Sequence, residues 1–95
     1  MVEENLFEWD EAKSEKNEHE RGFGFRFAVR LFAARFVETE SRSRDYGERR
    51  MKATGKIGEG IYTVVYTWRG ERRRIISARL ASRRERNGYR QNIAE

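Results

Sequence analysis

Residues 61–80 constrain the fold most. Ile61-Tyr62-Thr63-Val64-Val65-Tyr66-Thr67-Trp68 is β-branched or aromatic at every position, Arg69-Gly70-Glu71 interrupts it, and Arg72 to Ala78 resumes with Ile75 and Ile76. Such side chains suit a pleated surface, and a short glycine-containing break between two such runs predicts a β-hairpin. The first run can place apolar groups on both of its faces, so it is expected in the middle of a sheet. On the second, alternation sets Arg73, Ile75, Ser77 and Arg79 against Arg74, Ile76, Ala78 and Leu80. Ile76 and Leu80 mark the latter set as facing the core, which leaves Arg79 on the open face and turns Arg74 inward. Ser82-Arg83-Arg84-Glu85 follows with the S-x-x-E spacing of a capping box, so a short basic helix is expected after the second strand.

Upstream, Leu6-Phe7-Glu8-Trp9 alternates as a short first strand would. Asp10 stands at a helix N-cap position and Gly22 at a terminating one, predicting a helix over Glu11–Arg21. Phe25, Ala28, Val29 and Phe32 recur at helical spacing with Arg26 and Arg30 opposite, so a second amphipathic helix should cover the sheet with its phenylalanines in the core. Phe36 to Glu40 reads as extended, and Ser41 to Gly47 as a polar loop. Arg49 to Ile57 alternates, with Met51, Ala53 and Ile57 on one face and Arg50, Lys52, Thr54 and Lys56 on the other. Gly58-Glu59-Gly60 turns the chain into the hairpin. One sheet face is therefore expected apolar and the other basic.

Ninety-five residues without cysteine or proline suit one small domain, residues 1–95, held by burial rather than by disulfides or a cysteine-based metal site. No apolar run approaches the ~20 residues that cross a bilayer and no signal-peptide pattern opens the chain, so a cytoplasmic location is expected. The net charge of +5 is unevenly spread. Residues 1–20 hold eight acids against two bases, whereas residues 69–95 hold nine bases against three acids. Clustered arginines favour a polyanion, since guanidinium grips phosphate bidentately and released counterions drive association. The competing reading is a solubilising surface.

No phosphate-binding loop, paired-histidine helix or nucleophile elbow is present, histidine and cysteine are too few for zinc, and no cofactor is expected. The single histidine, His19, is open to two readings: a proton-transfer group, or a solvated residue of a polar helix. Across nearly the whole chain, however, the residues follow a known order and spacing: Phe7-Glu8-Trp9-Asp10-Glu11-Ala12-Lys13, Asn17, Gly22, Asp45-Tyr46-Gly47-Glu48-Arg49-Arg50, Gly55, Val64-Val65-Tyr66-Thr67 and Arg74-Ile75-Ile76-Ser77-Ala78-Arg79. In these stretches the chain resembles the BrnT family of type II toxins. It departs at Glu20-Arg21-Gly22, where such proteins usually show Lys-His-Gly, and at Lys52, where they are usually apolar. A guanidinium at Arg21 cannot serve as a proton acceptor.

The resemblance implies a RelE-like α+β fold. The fold expected is an antiparallel sheet of about four strands, two N-terminal helices on one face and a short basic C-terminal helix. It also implies a ribonuclease toxin that stops translation, held inactive by a BrnA-like ribbon-helix-helix antitoxin, with operator DNA bound through that antitoxin. The chemistry expected is metal-independent attack of a ribose 2′-hydroxyl on the adjacent phosphate. Arg79, Arg50 and Arg83 are candidates for stabilising the charged transition state and His19 for proton transfer. Arg74, Arg84, Arg86 and Tyr46 are candidates for binding RNA. The rival reading is a non-catalytic basic module that binds nucleic acid or an acidic partner.

Overall fold

The computed structural model describes residues 4–41 and 49–93. A 3-10 turn (Glu4–Leu6) leads into β1 (Phe7–Trp9), α1 (Glu11–Arg21) and α2 (Phe25–Ala28), which continues as 3-10 helix over Val29–Ala33. Then come β2 (Phe36–Glu40), β3 (Met51–Ile57), β4 (Gly60–Arg69), β5 (Arg72–Leu80) and α3 (Arg83–Asn92). The strand order is β1-β5-β4-β3-β2, which puts the hydrophobic strand β4 in the middle as its composition predicts.

The class is the expected α+β, but the sheet has five strands and is mixed. β2 to β5 pair antiparallel, while β1 runs parallel along the outer edge of β5, with Phe7 opposite Arg73 and Trp9 opposite Ile75. Three residues suffice because Phe7 is buried and the short strand occupies an edge that β5 would otherwise leave unpaired.

α1 has the predicted bounds. Its first turn donates from Ala12 N to Asp10 Oδ1 at 2.8 Å, and it stops where Gly22 takes φ 91° and donates its N–H to Glu18 O. The second helix is shorter than the spacing predicts. Phe25, Ala28 and Val29 are buried as expected, but the chain then tightens, and Leu31 takes the core position in place of half-buried Phe32. At three residues per turn, Ala28 and Leu31 fall on one side. Gly55 lets this turn approach β3: a Cβ there would lie 3.2 Å from Phe36 Cβ and 3.4 Å from Leu31 Cβ.

The core joins Phe25, Ala28, Val29 and Leu31 to Ala53, Ile57, Val64, Tyr66, Ile75 and Ala78 of the sheet. Rings meet edge-on around it, with Phe32 to Tyr66 at 5.6 Å and Phe23 to Tyr62 at 5.2 Å between centroids. Phe25 is thus a core residue, as the helical spacing predicts, and Phe23, Phe27 and Phe32 pack half-buried against the core.

The alternation on β5 needs correcting. Val65 pairs with Ser77 but Tyr66 with Ile75, so Ile76 is an extra residue in a bulge. Upstream of it the faces exchange. Ile75 is buried, Arg73 joins the face that packs against α2 and Arg74 leaves it, and Leu80 at the strand end is 63% exposed. Arg73 sits among rings, its guanidinium carbon 4.4 Å from the centroid of Phe32 and 4.6 Å from that of Trp68, with Glu38 at 3.8 Å. Burial lowers its pKa, and Glu38 opposes that shift. Among the described residues no helix is long and apolar enough to cross a membrane.

Candidate active site

The second face of the sheet presents Lys52 and Thr54 from β3, Thr63, Val65 and Thr67 from β4, and Ser77 and Arg79 from β5. Sequence alternation predicts an open basic surface here. α3 instead lies across part of it, and Thr54, Thr63 and Thr67 are buried. Buried hydroxyls must find partners. Thr54 and Thr63 bond each other at 2.8 Å, and Thr67 donates to Arg49 O at 2.8 Å.

What brings α3 down onto this face is one carboxylate. The expected capping box is present: Ser82 Oγ accepts from Glu85 N at 3.2 Å, and Glu85 Oε1 accepts from Ser82 N at 2.8 Å. The same side chain reaches further. Oε1 also accepts from Arg79 Nη1 at 2.7 Å and Thr63 Oγ1 at 3.0 Å, and Oε2 from Arg79 Nη2 at 2.9 Å and Lys52 Nζ at 3.1 Å. One group therefore fastens the start of α3 to β3, β4 and β5 at once. Ala81 N donates to Ile61 O at 2.9 Å and holds the approach to the helix.

The electrostatics follow from this geometry. Bonding by Arg79, with further donors from Ser82, Lys52 and Thr63, holds the Glu85 carboxyl well below the usual carboxylate range against the opposing effect of burial. The bond to Glu85 raises the pKa of Arg79 in turn. Arg79 and Glu85 thus face each other as an ion pair through the physiological range.

Beside the cluster opens a cleft of about 700 Å³ lined by Thr39, Glu40, Ser41, Lys52, Val65, Arg79 and Arg84. Two residues singled out in the sequence, Arg79 and Arg84, line it together. Arg83 is exposed as the first residue of α3. Arg50 is half-buried immediately before β3, where its carbonyl accepts from Ser41 N at 2.7 Å. The remaining candidates lie elsewhere or are occupied. His19 is exposed on α1 and does not line the cleft. Arg74 is paired with Glu8 at 3.1 Å at the β1 edge, and Arg86 Nη1 donates to Ala81 O at 2.8 Å. Tyr46 falls outside the described residues. Arg21, at the position where a histidine is usual in the resembling family, bonds Asn17 Oδ1 at 3.2 Å and Ala78 O at 3.1 Å, tying α1 to β5.

Sequence reasoning missed Lys52 and the wider role of Glu85 as parts of this cluster. The period of β3 does place Lys52 on this face. Nothing in S-x-x-E, however, tells a carboxylate that only caps a helix from one that also receives two cations from the sheet.

The cleft therefore offers neighbouring cations on a rigid sheet, a suitable surface for a phosphodiester backbone. A comparison with curated proteins gives no match. A family model described as the ribonuclease toxin BrnT of type II toxin–antitoxin systems matches residues 9–85, from Trp9 of β1 to Glu85 itself. With most of its length matched in this way, the chain belongs to the BrnT family of ribonuclease toxins.

Proposed function

We propose that this protein is a metal-independent endoribonuclease acting at the cleft over Lys52 and Arg79. The ribose 2′-hydroxyl attacks the adjacent phosphorus and gives its proton to water, the 5′-oxygen of the next nucleotide leaves and takes a proton from water, and the cut strand carries a 2′,3′-cyclic phosphate. One observation carries the reading: Lys52 and Arg79 bond the same oxygen of Glu85, so two cations stand side by side at an open cleft. Negative charge grows on the phosphoryl oxygens in the transition state, and preorganised donors aimed at it are the largest single source of rate in such sites. Arg84 and Arg83 extend the positive surface along α3 to hold the backbone in line, and Arg50 supports its β3 side.

Glu85 is too strongly bonded to accept a proton, and His19 stands apart on α1. General acid–base help is worth roughly 10²–10⁴ in rate, so the enzyme is a slow one. In the cell the reading extends to arrest of translation and to a BrnA-like ribbon-helix-helix antitoxin that covers the same cations, with operator DNA bound through it.

Labelled RNA incubated with the purified chain in chelator, with and without ribosomes, tests the reading. Breakage leaving cyclic or 3′-phosphate ends is expected. A strict need for magnesium, or intact RNA even with ribosomes, contradicts it, and RNA that is bound but never cut marks a binding module. Growth should recover, and the pair co-purify, when the neighbouring gene is co-expressed.

A further inference from the structure

A guanidinium has five N–H groups and an ammonium three, so the donors left over at the cleft can be counted. Arg79 Nη1 uses its pair on Glu85 Oε1 and on Leu80 O at 3.3 Å, and Nη2 uses one on Glu85 Oε2. Among the described residues nothing engages the second Nη2–H and Nε–H, which lie along one side of the guanidinium and form a fork of the width of a phosphate. Among the described residues Lys52 spends one donor on Glu85 and keeps two. Glu85 has nothing left to give: three donors converge on Oε1 and two on Oε2, and the side chain is 11% exposed.

We propose that Glu85 is the positioning residue of the cleft, occupying one edge of Arg79 so that the other edge, with Lys52 beside it, meets an RNA phosphate. The inference rests on the reading of the cleft as the RNA site. Arginine and lysine side chains are otherwise among the most mobile, and fixing two of them costs entropy at the moment of binding. Here that ordering is built into the fold, since Glu85 sits in the first turn of a helix whose start is fixed by Ser82. Glu85 thereby acts on the chemistry through Arg79 and Lys52 without itself touching the substrate.

The test is Glu85→Gln, which keeps the shape but sets an amide N–H₂ against donors of Arg79 and Lys52. Single-turnover cleavage at saturating RNA should fall about 10- to 100-fold, the range for removing a group that orients a working one. RNA affinity should hold within about threefold, since the loss of a negative charge beside the cleft offsets the loss of order. Because Glu85 acts through Arg79 and Lys52, Glu85→Gln should cost much less in the Arg79→Ala background, where Lys52 alone is left to orient, than in the parent. Parent-like cleavage by Glu85→Gln, or losses that multiply in the double variant, overturns the inference and leaves Glu85 a plain anchor of α3. A second readout does not depend on cleavage: the Arg79 Nε–H resonance should shift when uncuttable 2′-O-methyl RNA is added to the parent, and not in Glu85→Gln. A parent that shows the shift but never cuts ordinary RNA refutes the nuclease reading and upholds the positioning role. A parent that cuts without the shift does the reverse.

Discussion

The two faces of the sheet are closed by different forces. On one, α2 and the 3-10 turn after it press Phe25, Ala28, Val29 and Leu31 against Val64, Tyr66, Ile75 and Ala78, an interaction that depends on volume and on little else. On the other, α3 is held by directed bonds from three strands to a single carboxylate. The apolar face can lose a methyl group and still close in the same place. The polar face has a direction, and that direction is also the one in which Lys52 and Arg79 meet the cleft. Fold and proposed function thus share residues on one side of the sheet and are separate on the other.

The largest stability effect is expected on the apolar side. Phe25→Ala should cost about 3–5 kcal/mol by urea or thermal unfolding, since Phe25 is 1% exposed and its neighbours cannot fully close the space. A loss under 1 kcal/mol would mean that this face is less tightly packed than its ring contacts imply. Arg79→Ala should cost less, about 1.5–3 kcal/mol, the range for bonds to charged groups, because Glu85 keeps Lys52, Thr63 and Ser82. Alternation alone marks Arg79 as an exposed arginine with no bearing on folding, and an unchanged melting temperature would restore that view.

Ser82→Ala should lower stability by about 1 kcal/mol, the usual worth of an N-cap, while Glu85 still receives the Ser82 backbone N–H. It loosens the start of α3 without removing a cation from the cleft. Cleavage at low temperature should therefore change little, and a collapse of activity would show that the cap, not the carboxylate, sets the site.

A further effect is in acid. The folded chain binds the proton of Glu85 more weakly than the unfolded chain does, chiefly because Arg79 bonds the ionised form. The stability this brings is complete above about pH 4.3, the ordinary value for a glutamate, and is lost progressively as pH falls from there. Unfolding followed from pH 6 to pH 2 should give a steeper acid limb for the parent than for Glu85→Gln. Equal limbs would mean that the carboxylate is no better held in the folded chain.

Local rules made much of this architecture legible. Asp10, Gly22, Ser82 and the break at Gly70 each act through bonds to near neighbours in sequence, and the elements they delimit stand where expected. What was not legible depends on distant partners. β1 is legible as a short strand, but its parallel place along β5 depends on a partner far away in the chain. The bulge at Ile76 reverses the faces upstream of it with no glycine to announce it, so alternation alone puts Arg73 and Arg74 on the wrong sides. Arg79 kept its face because Ala78, downstream of the bulge, points inward. The site was legible as a basic surface with Arg79 in it. It was not legible as a cluster, because Lys52, Thr63 and Glu85 come from three elements that meet only in the fold.

The central claim is that the polar face is where RNA is cut, and Arg79→Ala tests it most directly. The measurement is single-turnover cleavage of labelled RNA at saturating protein, at a temperature where circular dichroism shows the variant folded. A rate about 10²–10³ below the parent is expected, the loss seen when one donor to a developing oxyanion is removed. Parent-like cleavage by the folded variant would place the chemistry elsewhere on the molecule and leave the cluster around Glu85 a purely structural fastening.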